Sequence, residues 1–315
     1  MTMSEQEPKV SVLIISYNEK EYLSQAVNSA LMQNYANKEI IIGDDGSEDG
    51  SVGLIEQLVK SGGGGIRYFV MSRNDEPIIP SIRVSNVIKR GLDEAKGEYF
   101  TILSGDDYYV NANMLTEAVD FLEKHPKYVA YVSGFQRVDK QGKEIETRIL
   151  QNRSNKIYWS GSYAHISCFV FRKIDSSELL DRMCDDTGLE YILAGKGKWG
   201  YGSNIVIAYR QRESSIQHKA DPIELSILEM MIYQDILNRP IDELRYATWS
   251  RFYKSYCHLI NNRSVLKDSK YQKYISSCAE LDNDVIRQII NGKRPGFRMW
   301  LCNRYYAALR MLMKR

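Results

Sequence analysis

The sequence lacks the features that mark several classes of protein. Its five cysteines form no CxxC pair and no Cys/His cluster of metal-ligand spacing: Cys168, Cys184, Cys257, Cys278 and Cys302. This excludes a zinc ribbon or a redox pair and fits a reducing compartment. No run reaches the length of about 18 apolar residues that a spanning helix needs, and the N-terminal MTMSEQEPKV has no apolar stretch behind a basic start. We therefore expect a cytoplasmic protein with neither a signal peptide nor a spanning helix.

The chain also has no large excess of charge of either sign. Lys and Arg total 42 against 40 for Asp and Glu, so the net charge is only +2 and no nucleic-acid partner is expected. With 43% hydrophobic and 26% charged residues, the chain has the composition of a globular protein with a sizeable core. Its 315 residues leave room for one large-sheet domain and an appendage.

Short β-branched runs alternate with helical patterns in the first part of the chain. Strands are predicted at 10–16, 39–43, 66–71, 99–103, 128–135, 166–171 and 205–209, and helices at 19–34, 50–60, 84–95 and 187–194, with helices alone from about residue 222. This order predicts an α/β fold, a doubly wound and mostly parallel sheet flanked by helices, followed by a C-terminal helical region. In such a sheet a ligand binds at the carboxyl ends of the strands.

Acidic residues crowd that edge of the predicted sheet. The second strand runs into GDDGSEDGS and the fourth into SGDD, which ends in Asp106 and Asp107. Clustered carboxylates repel one another unless a cation compensates, so we expect Mn²⁺ or Mg²⁺ to be held there by Asp106 and Asp107. The alternative is that these residues cap helices. That alternative is favoured for Ser47, Asp49 and Ser51, but it explains less at Asp106, because a Tyr-Tyr pair follows.

Four ordered motifs carry a family resemblance. They are Val10–Asn18, KEIIIGDDGSEDGS, AKGEYFTILSGDD and CDDTGLEYILAGKGKWGYGSNIVIAYR, within a match from Pro8 to about His218. With them the chain resembles the family 2 glycosyltransferases, which are inverting enzymes of the GT-A fold. The change to helices alone from about residue 222 sets a domain boundary near residue 220. With that boundary, the resemblance implies a catalytic domain over residues 1–220, with a nucleotide-binding half at about 1–110 and an acceptor half at about 111–220. Residues 221–315 would form the C-terminal helical region with a basic amphipathic tail.

The resemblance also implies how a nucleotide-sugar donor is held. Ser16 and Tyr17 are expected to bind the donor, with Tyr17 stacked on the base. Asp45 would hydrogen-bond the uracil ring, and Asp106 would reach the metal that bridges the diphosphate. The family's basic donor contact matches Arg83 loosely. Arg210 and Arg212 would add positive charge near the leaving group, with ordinary solvated charges as the alternative.

Asp186 is the candidate general base. By spacing, Asp185-Asp186 matches the family's acidic pair, whose second member takes the proton of the acceptor hydroxyl. Such a base contributes on the order of 10² to 10⁴ in rate. The alternative is that Asp185 or Asp186 caps the helix that follows.

The chain departs from the family pattern at two places. Ser104 stands where many members have the first aspartate of the DxD-like motif, and Arg212 stands where many have a histidine. Both changes affect the expected affinity for the metal more than they affect the fold. His218 is a candidate to replace the missing imidazole, although a lone histidine is more often a surface residue.

The expected activity is transfer of a hexose or N-acetylhexosamine from a donor such as a UDP-sugar. The acceptor would be a glycan or a lipid-linked oligosaccharide, in polysaccharide, O-antigen (lipopolysaccharide) or capsule synthesis. Trp159, Tyr163, His165 and Trp199 are candidates for stacking on acceptor sugars, although core packing is the commoner use of such rings. The main alternative is a non-catalytic glycan-binding or scaffold protein. An oxidoreductase is disfavoured because SYNEKEYL, and not a GxGxxG turn, follows the first strand.

The tail has a local charge bias. Residues 292–315 contain seven basic residues and no acid. Leu301, Tyr305, Leu309 and Leu312 share one helical face, and the basic side chains lie mostly opposite. This pattern predicts a peripheral contact with the inner face of the cell membrane, or alternatively a helix packed on the protein.

Overall fold

The structure is a computed structural model that describes residues 7–62, 64–73, 80–150, 164–179, 186–212, 221–237, 245–277 and 283–296, with Trp300 and Arg304. These residues fold into two compact units. The first ends at Arg212, and the second takes Pro80 and the described residues from Asp221 onward. The predicted boundary near residue 220, and the division of the first domain into halves, stay predictions.

The first unit alternates strands with helices, as its sequence predicts. Its strands are β1 Val10–Ser16, β2 Lys38–Asp44, β3 Ile66–Val70, β4 Tyr99–Ser104, β5 Tyr108–Tyr109, β6 Tyr128–Val138, β7 Glu144–Arg148, β8 Phe169–Arg172 and β9 Lys198–Arg210. Its helices are α1 Leu23–Leu31, α2 Ser51–Ser61, α3 Pro80–Glu94, α4 Met114–Lys124 and α5 Asp186–Lys196. Within the described residues the strands form one sheet in the order β3-β2-β1-β4-β8-β6-β9-β5, and β7 pairs with β6.

Strand direction decides which loops meet. β1 is parallel to β2 and to β4, and β2 is parallel to β3. β8 is antiparallel to both β4 and β6, while β6 is parallel to β9. Therefore β1, β2, β3, β4, β6 and β9 all point the same way. Their carboxyl ends share one edge of the sheet with the residues that precede β8, and this confirms the predicted α/β fold.

The central strands are buried on both faces. Leu13 and Ile14 are fully buried, as their β-branched, non-alternating run predicts. β1 and β4 lie close together at both ends of their contact. A Cβ added at Gly97 would meet the backbone nitrogen of Ser11 at 2.6 Å, and one at Gly105 would meet the carbonyl oxygen of Ile15 at 2.9 Å.

Several elements differ from the predictions. α1 begins at Leu23 and not at Glu19, because the preceding backbone N–H groups bond to the loop after β2. β9 begins at Lys198 and not at Ile205, and the short strands β5 and β7 were not predicted. β5 pairs only two residues with β9, too few for a sequence pattern.

The second unit is helical within the described residues. It contains α6 Pro222–Leu237, α7 Arg245–Asn261, α8 Ser269–Ser277 and α9 Asn283–Ile290. Asp221 accepts hydrogen bonds from the backbone N–H groups of Ile223 and Glu224 at 2.8 and 3.4 Å, so it caps α6. In the described part of the chain, the helices are too short or too polar to cross a bilayer. Most of the predicted basic tail falls outside the described residues.

Candidate active site

The parallel edge of the sheet gathers the predicted site. Ser16 at the end of β1 pairs in register with Asp44 at the end of β2, and Ile15 pairs with Ser104 at the end of β4. Consequently Tyr17, Asp45 and Asp106 all follow neighbouring strand ends. Ser16 is fully buried, and its backbone oxygen accepts the N–H of Asp45 at 2.9 Å.

The loop after β1 is fastened to the loop after β2. The N–H of Asn18 donates to Ser47 Oγ at 2.8 Å, and Asn18 Oδ1 accepts the N–H of Glu48 at 2.9 Å. Asn18 adopts a left-handed backbone with φ of 54°, which asparagine tolerates better than most residues. Asp49 adds a bond from the N–H of Lys20 at 3.0 Å. Thus Ser47 and Asp49 join two loops, while the N-cap of α2 is Gly50 and has no side-chain cap bond.

Asp45 is held by two arginines. Nε of Arg83 lies 2.7 Å from Oδ2 of Asp45, and Nη2 of Arg83 lies 2.7 Å from Oδ1, so the pair is bidentate. Arg83 and Asp45 are 8% and 7% exposed. Arg73 contacts the same aspartate more loosely, with Nη2 at 3.4 Å from Oδ2. Arg83 therefore reaches Asp45, the residue expected to contact the donor base.

Arg73 is a site residue that the sequence did not indicate. Its guanidinium carbon lies 3.7 Å from the centre of the Tyr17 ring, and Nη1 donates a hydrogen bond to the Tyr17 hydroxyl. Arg73 stands three residues beyond the end of β3, at the same edge. Its position shortly after a strand is all that the sequence offers to indicate a role in the site, because no motif surrounds it. Tyr17 remains 38% exposed.

Arg212 lies between two acids from different loops. Its Nη2 is 2.5 Å from Asp106 Oδ2 and 2.6 Å from Glu19 Oε1, and the three side chains are each less than 15% exposed. Nε of Arg212 and Oε2 of Glu19 are buried without a hydrogen-bond partner among the described residues. The predicted donor residues Asp106 and Arg212 are thus in direct contact. Glu19 is a second residue that the sequence analysis missed.

Arg210 and Asp107 lie directly behind this cluster. The N–H of Arg210 donates to Asp107 Oδ1 at 2.9 Å, and its Nε donates to the backbone oxygen of Asp106 at 2.9 Å. Its other nitrogens donate to Gln25 Oε1 at 2.8 Å and to the carbonyl of Lys140 at 2.7 Å. Arg210 is 4% exposed, so in this structure it braces the Asp106 loop.

Burial shifts the titration of three groups at this edge. Burial, followed by the nearby charge of Asp106, raises the pKa of Glu19 to about 8. The ion pair with Arg212 acts in the opposite direction but is outweighed. The same two causes raise the pKa of the fully buried Asp107 well above its ordinary value. Burial lowers the pKa of His165 to about 4, which leaves its ring neutral at pH 7. Nε2 of His165 lies 3.6 Å from Asp107 Oδ2, and its ring stacks on Tyr209 at 4.3 Å between centroids.

The expected divalent metal can be tested against these residues. Asp106, the expected first ligand, already faces the guanidinium of Arg212, and Asp107 is buried with one oxygen on the backbone of Arg210. Position 104 supplies a serine and no carboxylate. Across the described ranges, no group of three His, Cys, Asp or Glu side chains is arranged to hold a metal ion. In this arrangement the residues present fit an arginine cation and not a divalent ion.

Several predicted residues lie beyond what the structure describes. Asp186 is the first residue of α5, but its side chain falls outside the described part. Asp185, His218, Trp159 and Tyr163 fall outside it entirely. Trp199 is 3% exposed, and its ring packs edge-on against that of Phe169 with 5.4 Å between the ring centroids. It therefore has the core-packing role that was the alternative to stacking on acceptor sugars.

Comparison with solved structures defines the class of the fold. Staphylococcus aureus TarS 1–349 in complex with UDP-GlcNAc matches with a TM-score of 0.57 at 16% identity, covering 90% of each chain. The mannosyltransferase PcManGT of Pyrobaculum calidifontis, in complex with GDP-Man and Mn²⁺, matches with a TM-score of 0.54 at 12% identity, covering 96% of this chain and 87% of that one. The fold is therefore that of the GT-A glycosyltransferases, as predicted.

Sequence comparison assigns the family. The profile described as Glycosyl transferase family 2 matches residues 11–180, more than half of the chain. An uncharacterized glycosyltransferase of Rickettsia conorii is 35% identical over 43% of this chain and 21% of its own length. The GalNAc(5)-diNAcBac-PP-undecaprenol beta-1,3-glucosyltransferase of Campylobacter jejuni is 30% identical over 43% of this chain and 40% of its own length. The chain thus spans less than half the length of these relatives, and it belongs to glycosyltransferase family 2.

Proposed function

We propose that this family 2 glycosyltransferase moves a sugar from a UDP-sugar to a hydroxyl of a glycan or lipid-linked oligosaccharide. The observation that carries the proposal is the meeting of Tyr17, Asp45 and Asp106 at one sheet edge. An aromatic ring, a buried acid and an ion-paired acid stand there at successive strand ends. Together they offer a stacking surface, a hydrogen-bond acceptor for a base and charged groups for a diphosphate.

A uracil base is favoured by the acceptor at Asp45. The N3–H of uracil donates a hydrogen bond, and the Asp45 carboxylate accepts while the Arg83 pair fixes its orientation. The printed names of similar proteins support the donor and acceptor classes. The TarS structure holds UDP-GlcNAc, and the Campylobacter relative is a glucosyltransferase of an undecaprenol-linked substrate.

The chemistry is a single displacement. Asp186 takes the proton of the acceptor hydroxyl, its oxygen attacks the anomeric carbon, and the bond to the diphosphate breaks on the opposite face. This inverts the anomeric configuration, so an α-linked donor gives a β-linked product. The predicted Mn²⁺ or Mg²⁺ has support from the Mn²⁺ in the PcManGT structure, whereas the described residues of this chain present Arg212 at Asp106. The proposed chemistry therefore contains no metal step.

Release of UDP from a panel of donor sugars tests activity and donor identity together. Calorimetry with UDP, GDP and CDP tests base choice, and we expect UDP to bind at least ~10-fold more tightly. Equal affinity for the three nucleotides would contradict the donor assignment. A donor that binds without any turnover on glycan or lipid-linked acceptors would favour the non-catalytic alternative. An α-linked product from an α-linked donor, measured by proton coupling constants, would refute inversion.

A further inference from the structure

One cation already occupies the acidic corner of the site. Nη2 of Arg212 contacts Asp106 Oδ2 at 2.5 Å and Glu19 Oε1 at 2.6 Å, and the guanidinium lies 5.2 Å from the centre of the Tyr22 ring. A divalent ion that binds through Asp106 Oδ2 would have to displace this guanidinium. Arg212 thus stands where positive charge is needed to bind a diphosphate.

The fold holds Arg212 in that place. β9 runs parallel to β6 and therefore delivers the residues after it to the same edge as the end of β4. Arg210, two residues earlier, is fastened to the Asp106 loop by its backbone N–H on Asp107 and its Nε on the Asp106 carbonyl. The short segment between them leaves Arg212 little freedom to move away from Asp106.

The hydrogen-bonding capacity of Arg212 is incompletely used. Both described contacts use the same nitrogen, Nη2, and Nε is buried, so Nη1 is the nitrogen that has no contact among the described residues and can meet a ligand. A guanidinium offers five N–H donors in a planar fork, which suits two phosphate oxygens. The arginine can therefore keep its ion pair with Asp106 and still bind an anion.

We propose that Arg212 binds the diphosphate of the donor beside Asp106 and neutralises the leaving group, so that donor binding needs no divalent metal. This inference rests on the proposed UDP-sugar donor. As the acceptor oxygen forms its bond to the anomeric carbon, the electron pair of the breaking C–O bond moves to the diphosphate, and Arg212 stabilises that charge. The acceptor proton goes to Asp186.

Calorimetry on the unaltered protein tests the metal requirement. We expect the Kd for UDP in EDTA to lie within ~3-fold of that in Mn²⁺. If EDTA abolishes UDP binding and Mn²⁺ restores it, the inference is overturned while the donor class stands. If UDP binds in neither condition, the proposed donor fails and the inference fails with it.

A variant pair tests the role of the side chain. Arg212→Met should weaken UDP binding in EDTA by about 10- to 100-fold, the scale of a lost charge-assisted hydrogen bond, while the affinity for uridine stays unchanged. Arg67→Met is the matched control, because Arg67 also contacts two acids, Glu39 at 2.9 Å and Glu94 at 3.7 Å, at the opposite edge of the sheet. It should leave UDP binding unchanged. Full affinity for UDP in Arg212→Met would overturn the inference, and if that variant does not fold, the EDTA experiment decides.

Discussion

Ion pairs between distant residues shape the site at the scale of single residues. Arg83 and Asp45 are 38 positions apart, and Arg212 and Asp106 are further apart still. The sequence motifs predicted that the acids would lie at one edge, because they follow strands. They could not predict which arginine would face which acid, since that depends on how α3 and the end of β9 turn toward the edge.

The two arginines on Asp45 should differ in their effect on stability. Arg83→Met removes one partner of a buried pair and leaves the Asp45 carboxylate with a poor partner, so it should cost about 3–5 kcal/mol of unfolding free energy. Arg73→Met is the control. The Arg73 side chain is 37% exposed and its contact with the Asp45 carboxylate is 3.4 Å, so the change should cost less than ~1 kcal/mol. Urea unfolding measures both, and equal costs would contradict the geometry.

An isosteric substitution distinguishes a general base at Asp186 from a residue that only caps the helix. Asparagine caps a helix about as well as aspartate, but it cannot take a proton. Asp186→Asn should therefore keep the unfolding free energy and the affinity for UDP, while transfer falls by at least ~10²-fold. Asp185→Asn is the control and should transfer normally. If Asp186→Asn transfers at the full rate, the helix-cap role is the correct one.

At the scale of helices and strands, the buried strands were predictable and the sheet order was not. β1 and β4 are recognisable because both of their faces are buried and their apolar residues do not alternate. The reversal of β8 has no local signature. The apolar pattern of its four residues, Phe169–Arg172, is compatible with either strand direction. That reversal brings His165 to the site edge, beside Asp107.

The start of α6 should make stability depend on pH. Burial opposes the charge of Asp221, but bonds from Lys270, Tyr271 and two backbone N–H groups outweigh it and lower the pKa of Asp221 from 3.8 to about 2. A lowered pKa means that the folded state binds the proton less tightly than the unfolded state. The stabilisation is therefore complete above about pH 4 and is lost as the pH falls toward 2.

The comparison of Asp221→Asn with the unaltered protein checks this dependence. Urea midpoints should differ most above pH 4 and converge near pH 2, because the asparagine keeps the cap but lacks the charge. Lys270→Met should reduce the difference, since Lys270 Nζ lies 2.9 Å from Asp221 Oδ2. A difference that stays constant from pH 5 to pH 2 would contradict the role of the charge.

At the scale of the whole molecule, a near-neutral balance conceals a basic end. The net charge is +2, while residues 292–315 alone carry seven basic residues and no acid. Each basic residue near an anionic membrane contributes about 1 kcal/mol. Replacing Arg310, Lys314 and Arg315 with glutamine should therefore weaken binding to vesicles of anionic lipid by about 10²-fold.

Charge elsewhere on the molecule provides the control for that experiment. The exposed Lys124, Lys127 and Lys143 of the first unit, replaced together by glutamine, remove the same charge and should leave vesicle binding nearly unchanged. High salt should weaken binding of the unaltered protein, as screening requires. Equal losses in the two triple variants would mean that net charge, and not the tail, governs attachment.

The tight approach of β1 and β4 affects how a mutational scan of this protein would read. Side chains at Gly97 and Gly105 would both collide with the backbone of β1, at Ser11 and at Ile15. Both positions should therefore tolerate almost no substitution. Yet Gly97 stands at the amino end of β4, and only Gly105 borders Asp106. A scan that records only loss of activity would therefore mark the two glycines alike. Protein abundance would have to be measured beside sugar transfer before either position was assigned a role in the chemistry.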